Sequence, residues 1–295
     1  MRILAIDGGG IRGLIPALVL AEIERRTGRR IAQLVDLIAG TSTGGILACA
    51  LSRPDPLPAA EVAGLYDEEG PKIFDRSLLK TITSADGYLD ELYSDAGLVA
   101  ALKRYLDDTR LADATVPVLL TAYDLEARAA VLLRSGDGGE LSMVDAAHAT
   151  SAAPTYFEPV RVGARTLVDG GVCAVNPAMT AYAEVAGQTL DVLASLGTGE
   201  HTRALHYDEV KGWGKLAWAQ PIIDVVFDGS ADTVDAQLAR LAGARYVRLQ
   251  TRLDEASDSL DDASAGNLAA LRREAERLIA ARDADIDALC STLTA

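Results

Sequence analysis

A serine between two glycines has the surroundings most typical of a reactive group in this chain. Ser42 stands in the run Gly40, Thr41, Ser42, Thr43, Gly44, after an apolar stretch and before a helix-forming one. A sharp strand-to-helix turn of this type holds a serine in a strained backbone conformation with its hydroxyl exposed at the helix N-terminus. We therefore interpret 38–45 as a nucleophile elbow whose small residues, Gly40 and Gly44 among them, leave room for a substrate. A flexible turn without chemistry is the other interpretation, since short patterns recur by chance.

Three consecutive glycines, Gly8, Gly9 and Gly10, follow the first apolar run and precede a helix-forming segment. Backbone N–H groups that converge near a helix N-terminus favour a negative charge, either a phosphate or a developing oxyanion. A P-loop needs a Gly-Lys-Ser or Gly-Lys-Thr ending, which is missing. The loop does match a dinucleotide fingerprint as letters, but the elbow stands where that motif wants an acid. Nucleotide or phosphate binding through 8–13 stays an alternative.

A serine hydroxyl is a poor nucleophile unless a base takes its proton. Asp169 ends a strand-like run at 160–168 and precedes two glycines, a placement typical of a catalytic acid and also of an ordinary hairpin turn. The order Ser42, Asp169, His201 is that of the α/β-hydrolases, but their nucleophile follows several strands and this one follows the second. That favours Asp169 as the direct base. A triad that uses His201 or His206 stays open.

A βαβ unit is predicted to bring the glycine loop and Ser42 together. The first strand should lead through the glycine loop into a helix that runs to about Thr27 and stops at Gly28. The second strand should lead into the elbow, so that both turns lie at the carboxyl edge of neighbouring parallel strands. An anion-binding loop and a nucleophile would then face one crevice.

The rest of the chain reads as one α/β domain over 1–295, with helices predicted near 59–66, 96–106, 143–149 and 176–186 and strands at 116–123, 130–134, 190–196 and 244–250. The region 211–242 reads as helical, and Asp262 or Ser264 can cap a closing helix.

The irregular segment 52–95 is interpreted as an insertion or lid, with a surface excursion as the alternative. Small residues at 150–154 precede Tyr156 and Phe157, which are candidates for an acyl pocket or for core packing.

The charge composition restricts the classes of molecule that the chain is expected to bind. The formal charge of -15 argues against nucleic acid and against electrostatic docking on anionic lipid. Any membrane contact is expected instead from an apolar lid within 54–93. The sequence predicts no transmembrane helix, no signal peptide and no metal-ligand cluster, and its three separated cysteines suit a reducing cytoplasm.

The motifs together resemble the patatin-like phospholipases, the family of plant storage lipid acyl hydrolases and their bacterial relatives. The resemblance rests on 7–13 as the glycine-rich oxyanion motif, 40–44 as the serine elbow, 150–154 as the small-residue segment and 169–171 as the Asp-Gly-Gly motif, in family order. Asp261, Asp262 and Ala263 before the last helix are also similar to plant patatins. Four ordered motifs are more specific than any one of them.

The resemblance implies a three-layer α/β/α fold with a mainly parallel sheet and a Ser-Asp dyad. In such an enzyme Ser42 attacks an ester carbonyl and Asp169 serves as base and then as acid. The glycine loop, with Gly8, Gly9 and Gly10 supported by Arg12, would stabilise the oxyanion. The family needs no metal or other cofactor, and its substrates are phospholipid, lysophospholipid or galactolipid acyl esters.

Overall fold

The computed structural model describes residues 1–75, 79–83, 89–218 and 221–295, and its centre is a mainly parallel sheet. Strands β9, β1, β2 and β5 follow one another in parallel, with β10 parallel to β9 at one end. Strands β6 and β8 pair antiparallel with β5, and β7 with β8, while β3 and β4 form a separate hairpin. The strands are β1 (Arg2–Ile6), β2 (Leu37–Gly40), β3 (Leu79–Thr83), β4 (Leu89–Tyr93), β5 (Val118–Asp124), β6 (Ala129–Arg134), β7 (Val160–Val162), β8 (Arg165–Asp169), β9 (Val192–Leu196) and β10 (Tyr246–Leu249).

Helices cover both faces of this sheet. The described α-helices are α1 (Leu14–Thr27), α2 (Thr43–Ser52), α3 (Ala59–Glu68), α4 (Gly70–Ile73), α5 (Asp95–Leu106), α6 (Met143–Ser151), α7 (Gly171–Ala174), α8 (Ala178–Glu184), α9 (Tyr207–Val210), α10 (Lys215–Trp218), α11 (Pro221–Leu241), α12 (Ala265–Ala281) and α13 (Asp283–Thr294). None of those described combines the length and the apolar character that crossing a bilayer requires.

Alternate residues of the central strands point to two separate cores. Leu4 and Ile6 of β1 pack with α1, α2, α5, α6, α12 and α13, whereas Ile3 and Ala5 pack with α8 and the second half of α11. A parallel strand that is buried on both faces reads as a continuous apolar run, as β1 does. The fold is therefore the three-layer α/β/α arrangement that the sequence predicted.

The edge of β5 brings two distant parts of the chain together. Strand β6 occupies one edge of β5 along Leu119–Asp124, so β2 and β8 share the other edge. Gly40 at the end of β2 lies opposite Leu120, and Asp169 at the end of β8 lies opposite Ala122. Because β8 runs antiparallel to β5, the ends of β2 and β8 meet head on. The elbow after β2 and the acid that ends β8 are thereby neighbours.

Several elements differ from the predictions. The run 160–168 is not one strand, because Gly163, at φ +60°, lies in the turn between β7 and β8. Of the region 211–242, predicted as helical, residues 211–214 are not helical, α10 and α11 cover 215–218 and 221–241, and 219–220 lie outside the described residues. The helix α13 follows the predicted closing helix, which Ser264 caps by accepting from the Asn267 N–H. Gly28 ends α1 with φ +65°, as predicted. Within 52–95, residues 76–78 and 84–88 lie outside the described residues, so the lid stays a prediction.

Candidate active site

The turn at Ser42 has the backbone of a strained elbow. Ser42 has φ 55° and ψ -124° and stands immediately before α2. A residue with a Cβ in this region costs about 1–3 kcal/mol and persists only where its surroundings hold it. Here the Ser42 N–H donates to Thr150 Oγ1 at 3.0 Å, and Thr150 in turn donates to the carbonyl of Thr121 at 2.6 Å. The small-residue segment therefore fastens the elbow to β5.

The elbow glycines are needed for packing of the backbone. A Cβ on Gly44 would collide with the carbonyl of Ile6 at the end of β1, and one on Gly40 would collide with the carbonyl of Gly44. The start of α2 thus lies directly against the ends of β1 and β2. These contacts give Gly40 and Gly44 a role in the close approach of three main-chain segments, beyond the room for substrate that the sequence predicts.

Asp169 lies beside this elbow without a cation. Its side chain is fully buried, and Oδ1 accepts the N–H of Gly171 at 2.7 Å. Oδ2 has no hydrogen-bond partner of ordinary geometry within the described part of the chain. Burial raises the pKa of Asp169 to about 7, although the nearby Ser42 hydroxyl and the Gly171 N–H lower it. A carboxyl with this pKa changes its protonation near neutral pH, as a general base must.

The first residue of the glycine loop has its polar groups in use. The Gly8 N–H donates to the carbonyl of Val175 at 3.0 Å, and the Gly8 carbonyl accepts from Thr198 Oγ1 at 2.8 Å. The C=O and N–H of one trans peptide point in opposite directions. The Gly9 N–H therefore points away from Thr198, whereas the Gly8 N–H is not available to an oxyanion.

The next peptide of the loop is oriented by Arg12. The Gly9 carbonyl accepts from the Arg12 N–H at 3.1 Å and from Arg12 Nε at 3.4 Å. The Gly10 N–H is directed the opposite way by the same planarity. Gly10 has φ +56°, and a Cβ there would collide with the carbonyl of Leu260, so the loop requires glycine at this position. Among the described residues, neither the Gly9 nor the Gly10 N–H donates to a protein acceptor.

An apolar pocket contains Ser42, Asp169, Gly9 and Gly10 in one wall. Most of its other lining groups are hydrophobic and come from α2 to α5, the segment after α6, α11 and the loop before α12: Ile46, Leu65, Tyr66, Ile73, Phe74, Leu98, Tyr156, Phe157, Phe227 and Leu260. No Lys or Arg of the described chain lines it. The pocket has the composition that an acyl chain requires, with its polar groups gathered at one point.

The opposite side of the glycine loop is polar and ionic. Arg12, Gly8 and Asp7 line a second cavity there, together with His201 and Arg248. Asp7 is buried and is ion-paired at 2.6 Å to Arg248, whose side chain is partly buried. Burial raises the pKa of Asp7 more than the Arg248 guanidinium lowers it, so the net pKa of Asp7 is above its ordinary value. Arg12 thus faces away from the Ser42 pocket.

His201 belongs to this second side. Its Nε2 lies 2.6 Å from Arg12 Nη1, and its Nδ1 lies 2.9 Å from Asp228 Oδ2. Burial and the Arg12 guanidinium lower the pKa of His201, and the Asp228 and Asp224 carboxylates raise it, so that the net pKa is above its ordinary value. Both ring nitrogens are engaged, and the ring does not line the Ser42 pocket. His206 is exposed immediately before α9, with no side-chain capping bond.

Sequence reasoning missed four partners of this site: Thr150 as the acceptor of the Ser42 N–H, Arg248, Phe227 and Leu260. A charged residue within the short strand β10 was a usable signal for Arg248, because a strand of a buried sheet rarely carries a charge without a partner. Phe227 and Leu260 carry no comparable signal. Both residues follow Ser42 by 185 positions or more in the sequence, and only the tertiary fold brings them to the site.

Comparisons with known proteins agree with the motifs. The family model described as patatin-like phospholipase matches residues 4–182. Patatin-like protein 2 of Arabidopsis thaliana is 34% identical over 95% of this chain and 83% of its own. A potato (Solanum tuberosum) protein named probable inactive patatin-3-Kuras 1 is 29% identical, with 95% and 86% covered. The structure of VipD from Legionella pneumophila aligns with a TM-score of 0.45 at 10% identity, over 95% of this chain and 67% of that one.

Proposed function

The chain belongs to the patatin-like phospholipase family, and from this premise we propose that it is a serine lipid acyl hydrolase of the phospholipase A or lysophospholipase type. Family membership supports lipid acyl hydrolysis in general. The observation that carries the finer assignment is the meeting of Ser42 and Asp169 in the wall of one apolar pocket, with Asp169 Oδ2 unpaired. In the proposed dyad Ser42 is the nucleophile and Asp169 its base.

The first half of the reaction forms an acyl-enzyme. The ester carbonyl carbon is attacked by Ser42 Oγ while the hydroxyl proton passes to Asp169 Oδ2. The carbonyl oxygen becomes an oxyanion, which the free N–H groups of Gly9 and Gly10 would stabilise. When the tetrahedral intermediate collapses, the C–O bond to the alcohol breaks and Asp169 returns its proton to the leaving oxygen.

Water completes the cycle. Asp169, again a carboxylate, takes a proton from water as the oxygen attacks the acyl carbon of Ser42. Collapse of the second intermediate releases the fatty acid and returns the proton to Ser42 Oγ. A pKa of about 7 suits both directions of proton transfer, because neither protonation state is strongly disfavoured near neutral pH.

Phosphate or nucleotide binding through 8–13 has less support. A phosphate bound at Gly9 and Gly10 would share the pocket with the buried Asp169 carboxyl, and no basic side chain among the described residues lines that pocket. The histidine triad also has less support, because His201 has both nitrogens occupied by Arg12 and Asp228.

A fluorophosphonate probe tests the nucleophile. The folded wild type should be labelled at Ser42, and Ser42→Ala should not react. Ser151 lines the same pocket, so Ser151→Ala is the matched control and should still be labelled. A wild type that stays unmodified while its thermal unfolding is intact would contradict the proposed function.

Incubation with a mixed lipid extract then identifies the substrate. We propose phospholipid, lysophospholipid or galactolipid acyl esters, and mass spectrometry should find free fatty acid with wild type and none with Ser42→Ala. At -15 formal charge, binding to anionic vesicles should be weak. The three cysteines are unpaired, which supports our proposal that the protein works in the cytoplasm.

A further inference from the structure

His201 connects the glycine loop to α11, a helix that lies more than 200 residues after that loop in the sequence. His201 itself lies in the loop after β9, and its side chain is 12% exposed. Arg12 has only hydrogen-bond donors, so the contact at 2.6 Å requires that His201 Nε2 accept. The ring proton must then be on Nδ1, which donates to Asp228 Oδ2 of α11 at 2.9 Å. The partners on both sides fix one neutral tautomer.

The same Arg12 side chain determines how the loop peptide is turned. Arg12 is 4% exposed, and besides His201 it donates to the carbonyls of Gly9 and Asp258. The contact at Gly9 is long, at 3.4 Å, so it depends on where the guanidinium is held. If the guanidinium moved, the Gly9 carbonyl would lose one of its two donors and the Gly10 N–H could rotate away from the pocket.

We propose that His201 is a positioning residue for the oxyanion loop, acting through Arg12, with Asp228 as the group that orients its ring. The inference rests on the proposed function, because it concerns a donor that matters only when an oxyanion forms. His201 does not touch the substrate. It acts on the transition state through the direction of one N–H group.

The opposing interpretation is a histidine that only ties α11 to the loop after β9. A purely structural tie would change stability and leave kcat alone. A positioning role would lower kcat with little change in KM, since an oxyanion donor acts in the transition state more than in the bound substrate. The two interpretations therefore separate in steady-state kinetics.

The test compares His201→Ala with His201→Gln on a soluble nitrophenyl ester, at about pH 8.5 so that the wild-type imidazole is neutral. The glutamine side chain has a carbonyl oxygen that can accept from Arg12 and an NH2 group that can donate to Asp228. We expect kcat to fall about 10- to 100-fold in the alanine variant, with KM changed less than about threefold, and to recover largely in the glutamine variant. His206→Ala, at an exposed position, should behave as wild type.

Asp228 supplies a second pair of variants that is safe for folding, since its side chain is 47% exposed. Asp228→Ala should lower kcat by a smaller factor than His201→Ala, and Asp228→Asn, which keeps an acceptor, should lower it least. Thermal unfolding of each variant shows whether a loss of kcat follows a loss of structure.

The outcomes distinguish this inference from the proposed function. Unchanged kcat in His201→Ala, or a well-folded His201→Gln as slow as the alanine variant, would overturn the positioning role while wild-type hydrolysis upholds the function. If the folded wild type hydrolyses no ester and is not labelled at Ser42, the proposed function and this inference are both overturned.

Discussion

Two buried aspartates, one on each side of the glycine loop, differ in the groups that contact their carboxylates. Asp7 follows β1 and is 3% exposed, and Asp169 ends β8 and is 0% exposed. Asp7 is ion-paired to Arg248, whereas Asp169 receives hydrogen bonds only from neutral groups. Each carboxyl has one oxygen without a partner of ordinary geometry in the described part of the chain. The main difference between them is the guanidinium.

That difference separates a carboxyl held in an ion pair from one that contacts only neutral groups. A nearby cation favours the charged form, while burial alone favours the neutral form. Burial raises the pKa of both carboxyls, and the pKa of Asp169, which has no neighbouring cation, reaches about 7, a value that suits the proposed proton exchange with Ser42. Arg12, which is buried, and Arg248, which is partly buried, both line the cavity on the Asp7 side. Both guanidinium groups thus lie away from the proposed base.

The largest expected effect is on turnover. Asp169→Asn should lower kcat for a soluble ester by at least about 10³-fold, because the amide cannot take the Ser42 proton. Asp7→Asn should stay within about tenfold of wild type, since Asp7 does not line the Ser42 pocket. Both are measured at 25 °C after folding is verified by circular dichroism. Equal losses of kcat in the two folded variants would contradict a specific role of Asp169 in turnover.

Stability should show the reverse order. Asp7→Asn leaves Arg248 buried without its carboxylate, which we expect to cost about 3–5 kcal/mol in the free energy of unfolding. Asp169→Asn removes an unpaired buried carboxyl and should cost less than about 1 kcal/mol or stabilise the protein. Urea unfolding at constant pH measures both.

A double variant measures how much the ion pair between Asp7 and Arg248 contributes to stability. Arg248→Met combined with Asp7→Asn should be destabilised by clearly less than the sum of the two single variants, because the pair is removed together. Additive losses would mean that the ion pair at 2.6 Å contributes little to the structure around β1.

The comparison also shows what the sequence could predict. The first βαβ unit, the elbow and the loop are local, and their strands and α1 were predicted because each is fixed by glycines and apolar runs within about 45 residues. Asp169 was selected as a candidate from its position at a strand end. Its meeting with Ser42 could not be read from that pattern, since it depends on β2 and β8 sharing one edge of β5.

The rest of the site depends on pairings of distant segments. Arg248 reaches Asp7 because β10 adds to the sheet beside β9, and Leu260 reaches Gly10 from the loop before α12. His201 looked like a solvated loop residue, because the sequence does not reveal that Arg12 and Asp228 enclose it. A buried charge network is built from single residues, which leave no periodic pattern in the chain.

The pH dependence of hydrolysis tests the state of Asp169. A base must be deprotonated, so kcat/KM should rise about tenfold per pH unit below about pH 7 and level off above it. Because His201→Gln retains the neutral contacts, its profile should keep the same inflection. A plateau that extends down to pH 5, or an inflection lost on replacing His206, would show that another group is the base.

The pH dependence of unfolding also reports the state of Asp169. Asp169 binds its proton up to about pH 7 in the folded chain but releases it near 3.8 when unfolded. Between those values the folded state holds more protons, so this carboxyl makes stability fall as pH rises, by at most about 1.4 kcal/mol per pH unit. Unfolding of Asp169→Asn should lack that contribution, and Asp137→Asn at an exposed position should parallel wild type. If the wild type and Asp169→Asn show the same slope from pH 4 to 7, the carboxyl of Asp169 is already ionised in the fold, which would contradict its raised pKa.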